Sequence, residues 1–447
     1  MKKISFILAF SIIMPCIKDF NFFGFSSSKE KIRAFNFTYK VDLENDNDDK
    51  TKMKTWIPIP QSIKGVQTIS NEKIEYNKEE LECDMLIEDV HKNKYYYCEA
   101  KNNTLTKSSI VLSWDVERKE HQNVAFDIDH DIYKKPTTFV PVGESRFSKV
   151  IDKGDLRPED GASIDFKKIY SYVLNGMHYG KPTDDENDAN YKYVHGGKNK
   201  NTGKEWLPED QLYGENQIPH SELVKSQNKA DKYAYGQGNA RYACDIGVGN
   251  CTDYHSYFIS LCRTLDAPAR FHMGFNIPPD DSEDGEGIVK GYHCWADYYA
   301  VDKNGEGTWY PVDISEADKA PAKAEYYFGT LNKDRVEFTT GRDLELKGRE
   351  GKEKNKNETE GTHLAASSAA YISMGLLCLS DPMISTPKRA TLLRSRGLKS
   401  TLRRCANTWL TAASVCSTQC RVSVVSSQRT CRGQRKREKK TDRQREK

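Results

Sequence analysis

Cys251, His293 and Asp313 occur in an order that can support nucleophilic chemistry. Cys251 follows the run GVGN, in which Gly247 and Gly249 permit a tight approach and Asn250 is a favoured helix N-cap. A thiol in the first turn of a helix lies beside unpaired backbone N–H groups at the positive end of the helix dipole, which favours the thiolate. The same N–H groups can stabilise the oxyanion formed when sulfur attacks an acyl carbon. Such a nucleophile needs a base, and the base needs an orienting acceptor. His293 in GYHCWADYYAV and Asp313 in TWYPVD can fill those roles. Singly, each residue has a plainer reading: a packed cysteine, a core or surface histidine, a turn-forming aspartate. Their joint occurrence, as glycine-rich turn, Cys-led helix, His strand and Asp strand, selects the chemical one.

These side chains require particular elements to hold them. From Cys251 the residues Tyr254, His255, Phe258, Cys262 and Leu265 fall on one helical stripe, and Pro268 closes the helix. ARFHMGF then reads as a strand and PPDDSEDGEG as an acidic loop. GYHCWADYYAV and TWYPVD form a hairpin across DKNGEG, where Asn304-Gly305 is the turn signal. Setting His293 opposite Asp313 requires a turn centred near Lys303, an offset of one or two residues that a bulge or asymmetric loop absorbs. Trp295 shares a strand face with His293 and would help exclude water. His255 is expected to pack beneath the site rather than act as its base, and Gln237 is a weaker candidate for an oxyanion donor. A rival constellation for zinc is Cys244, Cys251, His293 and Cys294. Adjacent strand residues point to opposite faces, which argues against it. No cofactor and no metal ligand are expected.

The rest of the chain supplies context. Residues 1–28 read as a signal peptide or signal anchor: Lys2 and Lys3 precede the apolar run Ile4–Ile17, which is shorter than a membrane span. Lipidation at Cys16 is disfavoured by Pro15. Alternating strands from Ala34 to Val124 predict a small β-sandwich over 30–135, in which Cys83 and Cys98 could bridge two strands. Residues 136–160 read as a linker. Phe166, Ile169, Tyr170 and Val173 predict a helix over 163–177 within a core spanning 161–345. Lys181 to Lys232 is a long polar insertion, solvated or gating. Residues 346–447 read as a low-complexity spacer and a disordered basic tail, whose alternatives are an anionic-surface tether or a fused or misread frame. From Gly361 onward 18 Lys and Arg stand against 4 Asp and Glu, a net +14, so the overall +3 leaves −11 on residues 1–360. An acidic body excludes a general nucleic-acid footprint. Among 12 cysteines no C-x-x-C pair occurs.

GVGNCTDYHSYFISLCRTLDAPARFHMGF, GYHCWADYY and WYPVDISEAD resemble the three signature blocks of the transglutaminase-like superfamily core. That superfamily includes bacterial papain-like proteins, animal transglutaminases and peptide N-glycanases. YYFGTLNKDRVEFTTGRDL resembles the segment that follows the core in bacterial members, and the domain containing TWIPIPQS resembles the β domain that often precedes it. The resemblance implies an α+β fold: a Cys-led helix packed on an antiparallel sheet. It also implies Cys251 as nucleophile, His293 as general base and acid, and Asp313 as the residue orienting His293. The insertion at 181–232 is longer than the family leads one to expect. The function so implied is thiol-dependent acyl transfer on peptide or carboxamide bonds through a thioester, ending in hydrolysis, deamidation or transamidation. The alternative is a non-catalytic or zinc-binding extracellular protein retaining this fold. Expected partners are a protein or peptide substrate, no nucleic acid, and no integral membrane domain beyond a signal anchor; the chain is expected to be exported.

Overall fold

The computed structural model describes residues 31–349, apart from 45–51, 125–129, 189–190, 192–195, 228–232, 279–286, 290 and 302–304, together with a two-residue strand at 365–366. The expected N-terminal signal, most of the spacer and the basic tail lie outside the described residues.

Six strands come first: β1 (Ile32–Glu44), β2 (Lys54–Pro58), β3 (Gln67–Tyr76), β4 (Leu81–Ile87), β5 (Lys94–Ala100) and β6 (Lys107–Lys119). They pair as two antiparallel three-stranded sheets, ordered β1-β6-β3 and β2-β5-β4. In β1 every second residue from Phe35 to Leu43 is buried, as a period of two demands when one face meets a core. Cys83 and Cys98 face each other across β4 and β5 and are joined as a disulfide. The apolar cluster between these sheets also takes in Phe275, Val336 and Phe338 from the C-terminal part of the chain. Phe37 packs against both Phe275 and Phe338, at centroid distances of 5.5 Å.

The segment expected to be a linker contains a helix, α1 (Ser145–Lys153). Phe147 and Ile151 lie one turn apart on its buried face, and the short amphipathic repeat is easily lost among prolines and glycines. Next come α2 (Phe166–Gly176), capped by the Asp165 side chain, and β7 (His178–Tyr179). The polar insertion follows. It holds the small hairpin of β8 (Leu212–Tyr213) and β9 (Ile218–Pro219), then α3 (His220–Ser226). Trp206, Leu207, Tyr213 and Leu223 of this insertion form an apolar cluster with Tyr242, Ile246 and Val248, so it is anchored at several points and not merely solvated.

Helix α4 (Ala240–Ile246) ends at Gly247, whose φ of +72° is the left-handed conformation a terminating glycine accepts without a Cβ penalty. β10 (Val248–Gly249) pairs in parallel with β7 and delivers the chain to α5 (Cys251–Thr264). The expected single buried stripe on α5 is too narrow: every residue from Cys251 to Arg263 is buried. Helices α1, α2 and α4 cover one side while the sheet covers the other, so polar residues on α5 are enclosed as well.

That sheet contains β11 (Ala269–Asn276), β12 (Tyr292–Val301), β13 (Gly307–Val312) and β14 (Arg335–Thr340), antiparallel in the order β13-β12-β11-β14; α6 (Ile314–Lys319) follows β13. The outer side of edge strand β14 is occupied by side-chain amides. Gln67 donates to the Glu337 carbonyl (3.0 Å) and accepts from its N–H (2.9 Å), and Asn93 does the same for Thr340 (2.7 and 2.8 Å). Each amide imitates a peptide group of a neighbouring strand and closes an edge that would otherwise be open. Asn93→Ala leaves two backbone groups of Thr340 without these partners and is expected to cost about 1–3 kcal/mol. Urea denaturation measures this directly; an unchanged midpoint would mean that water replaces the amide at no cost.

Candidate active site

Asn250 caps α5 through its Oδ1, which accepts from Thr252 N–H (2.9 Å), while the Asp253 carboxylate accepts from Asn250 N–H (3.0 Å). This reciprocal capping fixes Cys251 as the first helical residue. Asp253 also accepts from the N–H groups of Gly236 (2.8 Å) and Gly238 (2.9 Å), tying the loop around Gln237 to the helix start. Burial raises the Asp253 carboxyl to about 7 against these donors. Gln237 is held between the two glycines, and its carbonyl accepts from Arg342 (3.4 Å).

His293 lies directly across β12–β11 from Gly274, where any Cβ would come within 1.9 Å of the Val336 carbonyl oxygen. Only glycine fits there, against the β14 backbone. On the other side the hairpin register sets Val312 opposite Ala296, so Asp313 does not face His293 squarely across the ladder, and it is not a strand residue. It lies one step past β13 as the N-cap of α6, from which its side chain reaches back to the ring. Asp313-Ile314-Ser315-Glu316 has the spacing of a helix start, and that local signal overrides continuation of the strand.

The Asp313 carboxylate is completely buried and has several partners. Oδ2 lies 2.7 Å from His293 Nε2 and 2.7 Å from Arg335 Nη1. Oδ1 accepts from Ser315 Oγ (2.9 Å) and Glu316 N–H (3.0 Å). Burial alone would raise its pKa, but His293 and Arg335 hold it well below the usual carboxylate range. For His293 burial opposes the charge, and Asp313 followed by the Cys251 sulfur outweighs it, bringing the imidazole to about 9. The Cys251 sulfur is in hydrogen-bond contact with both the Cys294 thiol and the His293 ring. The Cys294 contact most strongly, and His293 after it, bring the Cys251 thiol well below its ordinary value despite burial. The three predicted residues therefore converge.

The neighbouring candidates are separated by the same geometry. His255 Nδ1 lies 2.7 Å from the Cys251 carbonyl oxygen, and its Nε2 accepts from Ile314 N–H (3.1 Å). These contacts make Nδ1 the protonated nitrogen, and burial pushes the ring down to about 4, so His255 is a neutral strut between α5 and α6. Cys244 faces Tyr257, Asp245 and Arg146 instead of the site, so the four residues considered for zinc are not gathered. Among the described residues no group of three or more His, Cys, Asp or Glu is arranged to hold a metal ion. His293 and Cys294 nevertheless both reach the Cys251 sulfur although they are neighbours on β12. Strand alternation therefore separates them less than expected, although the β11–β12 register is unbroken at both residues.

Trp295 stands 6.2 Å from the His293 ring, with the Arg335 guanidinium 5.3 Å from its centroid. Behind it His272 stacks on the indole at 6.1 Å. His272 is clamped between Asp297 (3.0 Å) and Glu337 (2.8 Å), which raise its pKa to about 9 against burial. Tyr179, Tyr235 and Tyr292 stand near the Cys251 sulfur, and Lys319, paired with Glu316, places its ammonium 4.0 Å over the Tyr179 ring. Arg335 and Asp253 were not among the residues singled out in the sequence, and Cys294 was singled out only as a candidate zinc ligand. Asp253 alone carried a readable signal, since it lies three residues after the Asn250 cap.

The transglutaminase-like superfamily matches residues 216–314. A protein of Haemophilus influenzae without an assigned function is 28% identical over 160 residues, covering 29% of this chain and 42% of the relative. The chain thus spans less than half the length of that curated relative. Among solved structures, a candidate cysteine protease from Cytophaga hutchinsonii aligns with a TM-score of 0.36 and 13% identity, over 70% of this chain and 82% of that one. The periplasmic domain of TgpA from Pseudomonas aeruginosa, bound to ethylmercury, aligns with a TM-score of 0.30 and 11% identity, over 66% and 94% of the two chains. Residues 216–314, which contain Cys251, His293 and Asp313, are a domain of the transglutaminase-like superfamily.

Proposed function

We propose that this chain is a thiol-dependent acyl-transfer enzyme acting on peptide or carboxamide bonds of a protein or peptide substrate. One observation carries the reading: the Cys251 sulfur, at the first position of a helix, touches an imidazole whose far nitrogen is 2.7 Å from a buried carboxylate. In the proposed reaction the Cys251 thiolate forms a C–S bond to the carbonyl carbon. The oxyanion so created is met by the backbone N–H at the helix start. The His293 imidazolium gives its proton to the departing nitrogen, the C–N bond breaks, and a thioester remains on Cys251. Neutral His293 then takes a proton from water or from an amine, which attacks the thioester and releases the sulfur as thiolate. Asp313 holds the ring orientation throughout and stabilises its charged form. Water as acceptor gives hydrolysis or deamidation; a lysine amine gives an isopeptide bond. The enclosed setting, with Cys251 and His293 each 4% exposed, favours whichever acceptor the bound substrate admits.

The reading places the protein outside the cytoplasm. It is supported by the signal-like N-terminus and by the Cys83–Cys98 disulfide, which suits an oxidising compartment. Among the described residues no helix is long and apolar enough to cross a membrane. The test is incubation of the full chain with glutamine-containing peptides, with and without hydroxylamine, followed by mass spectrometry. Cleaved, deamidated or hydroxamate products that disappear in Cys251→Ala are expected. Folded protein that gives none of these products, and no acyl adduct on Cys251, would remove the proposal.

A further inference from the structure

Two sulfurs meet at the site, and the chemistry above uses one. Cys294 follows His293 on β12, is buried in the same apolar cluster as Cys251, and lies within hydrogen-bond reach of its sulfur. Both are free thiols in a chain whose Cys83 and Cys98 are joined. Cys244 instead faces Tyr257 and Arg146, and Cys262 lies toward the other end of α5.

We infer that Cys251 and Cys294 form a reversible oxidation site for hydroperoxides, in which Cys294 resolves the oxidised nucleophile before it is lost. The inference rests on the reading of Cys251 as a reactive thiolate. A thiolate attacks one oxygen of hydrogen peroxide; an S–O bond forms, the O–O bond breaks, and the His293 imidazolium protonates the departing hydroxide to water. Cys251 is thereby oxidised by two electrons to a sulfenic acid. Neutral His293 then accepts the Cys294 proton, the Cys294 sulfur attacks the Cys251 sulfur, and the S–S bond forms as the S–O bond breaks. The hydroxyl leaves as water with the proton carried by His293. Two thiols and one peroxide thus become one disulfide and two waters.

The surroundings favour this order of events. Burial first, and the neighbouring Cys251 anion second, keep the Cys294 thiol protonated; conversion of that anion to a neutral sulfenic acid removes the second influence. Cys294 is buried in the same cluster as Cys251, so it is the resolving partner at hand. Without it a further peroxide would carry Cys251 to the irreversible sulfinic acid.

The test treats full-length wild type and Cys294→Ala with hydrogen peroxide, then digests part of each sample without reduction. The remainder is reduced with dithiothreitol and alkylated. Wild type should yield a Cys251–Cys294 linked peptide pair, and dithiothreitol should restore most of the Cys251 alkylation seen before treatment. Cys294→Ala should accumulate sulfinic acid on Cys251 and recover little, each protein being scored against its own untreated sample. Wild type that accumulates sulfinate without the linked pair, or that links Cys251 to another cysteine, overturns the inference. Should Cys294→Ala not fold, the linked pair in wild type decides the matter alone. If untreated Cys251 fails to alkylate at pH 6, the nucleophile reading itself has failed; if it alkylates but never links, only the oxidation site has.

Discussion

Iodoacetamide at pH 6 is expected to label Cys251 at least about tenfold faster than Cys244, Cys262 or Cys294. An ordinary thiol with a pKa near 8.5 is about 0.3% ionised at that pH. A larger share of Cys251 is ionised there, because the Cys294 hydrogen bond and the His293 imidazolium hold its thiol well below the ordinary value. Its lower basicity makes it a weaker nucleophile per ion, with a Brønsted slope of about 0.4–0.5, which removes part of the advantage but not all of it. Burial moves the other three thiols the opposite way, with Cys244 pushed up to about 12. The pH profile carries the sign. Between pH 6 and 8 the Cys251 rate should stay nearly flat, since its thiol is held well below the ordinary value and His293 keeps its proton up to about 9. The rate of an ordinary thiol would climb about tenfold per pH unit over that range. Turnover should fall above pH 9, where His293 can no longer protonate the leaving nitrogen. In His293→Ala the flat region should disappear and labelling at pH 6 should drop severalfold. Equal labelling of all four cysteines at pH 6, with ordinary slopes, would show that no ion pair exists.

Asp313→Asn combines two losses that can be measured separately. The amide oxygen can still accept from Ser315 and the Glu316 N–H, so the start of α6 should survive. Its NH2 group, however, faces His293 Nε2 and cannot accept that proton. The ring must turn over its tautomer, and the imidazolium loses its counter-charge. A drop in turnover on the order of 10²–10⁴ is expected from the comparable loss in other triads. The second loss concerns Arg335, which is buried against the same carboxylate at 2.7 Å. An uncompensated buried guanidinium costs about 3–5 kcal/mol, so the urea midpoint should fall as well. Adding Arg335→Met to Asp313→Asn removes the stranded charge and should recover most of the stability without recovering turnover. Wild-type turnover in Asp313→Asn would exclude Asp313 as the orienting group; unchanged stability would mean that water reaches Arg335.

The parts of the site readable from the chain are those whose causes are local. Asn250, the preceding glycines and Pro268 delimit α5 because capping and termination act within a few residues. The alternation of GYHCWADYYAV put His293 beside Trp295 for a similarly local reason. Even Asp313 carried a local mark, the Glu three residues on, although the strand-like run before it masked the helix start. Helix α1 was missed because its apolar repeat is only two turns long.

Other features had no mark that could be read. Arg335 meets Asp313 because the fold brings the first residue of β14 to the buried side of the cap, a placement that nothing near residue 335 announces. Gln67 and Asn93 close the edge of β14 from the N-terminal sheets, and Phe275, Val336 and Phe338 share the apolar core of those sheets. By itself the sequence determined which residues begin elements and which face each presents, because those follow from backbone sterics and side-chain period. What lies across from a face was decided only by the tertiary structure. Strand order and register bring together residues far apart in the chain, and shifting the pairing by one residue turns every side chain to the opposite side.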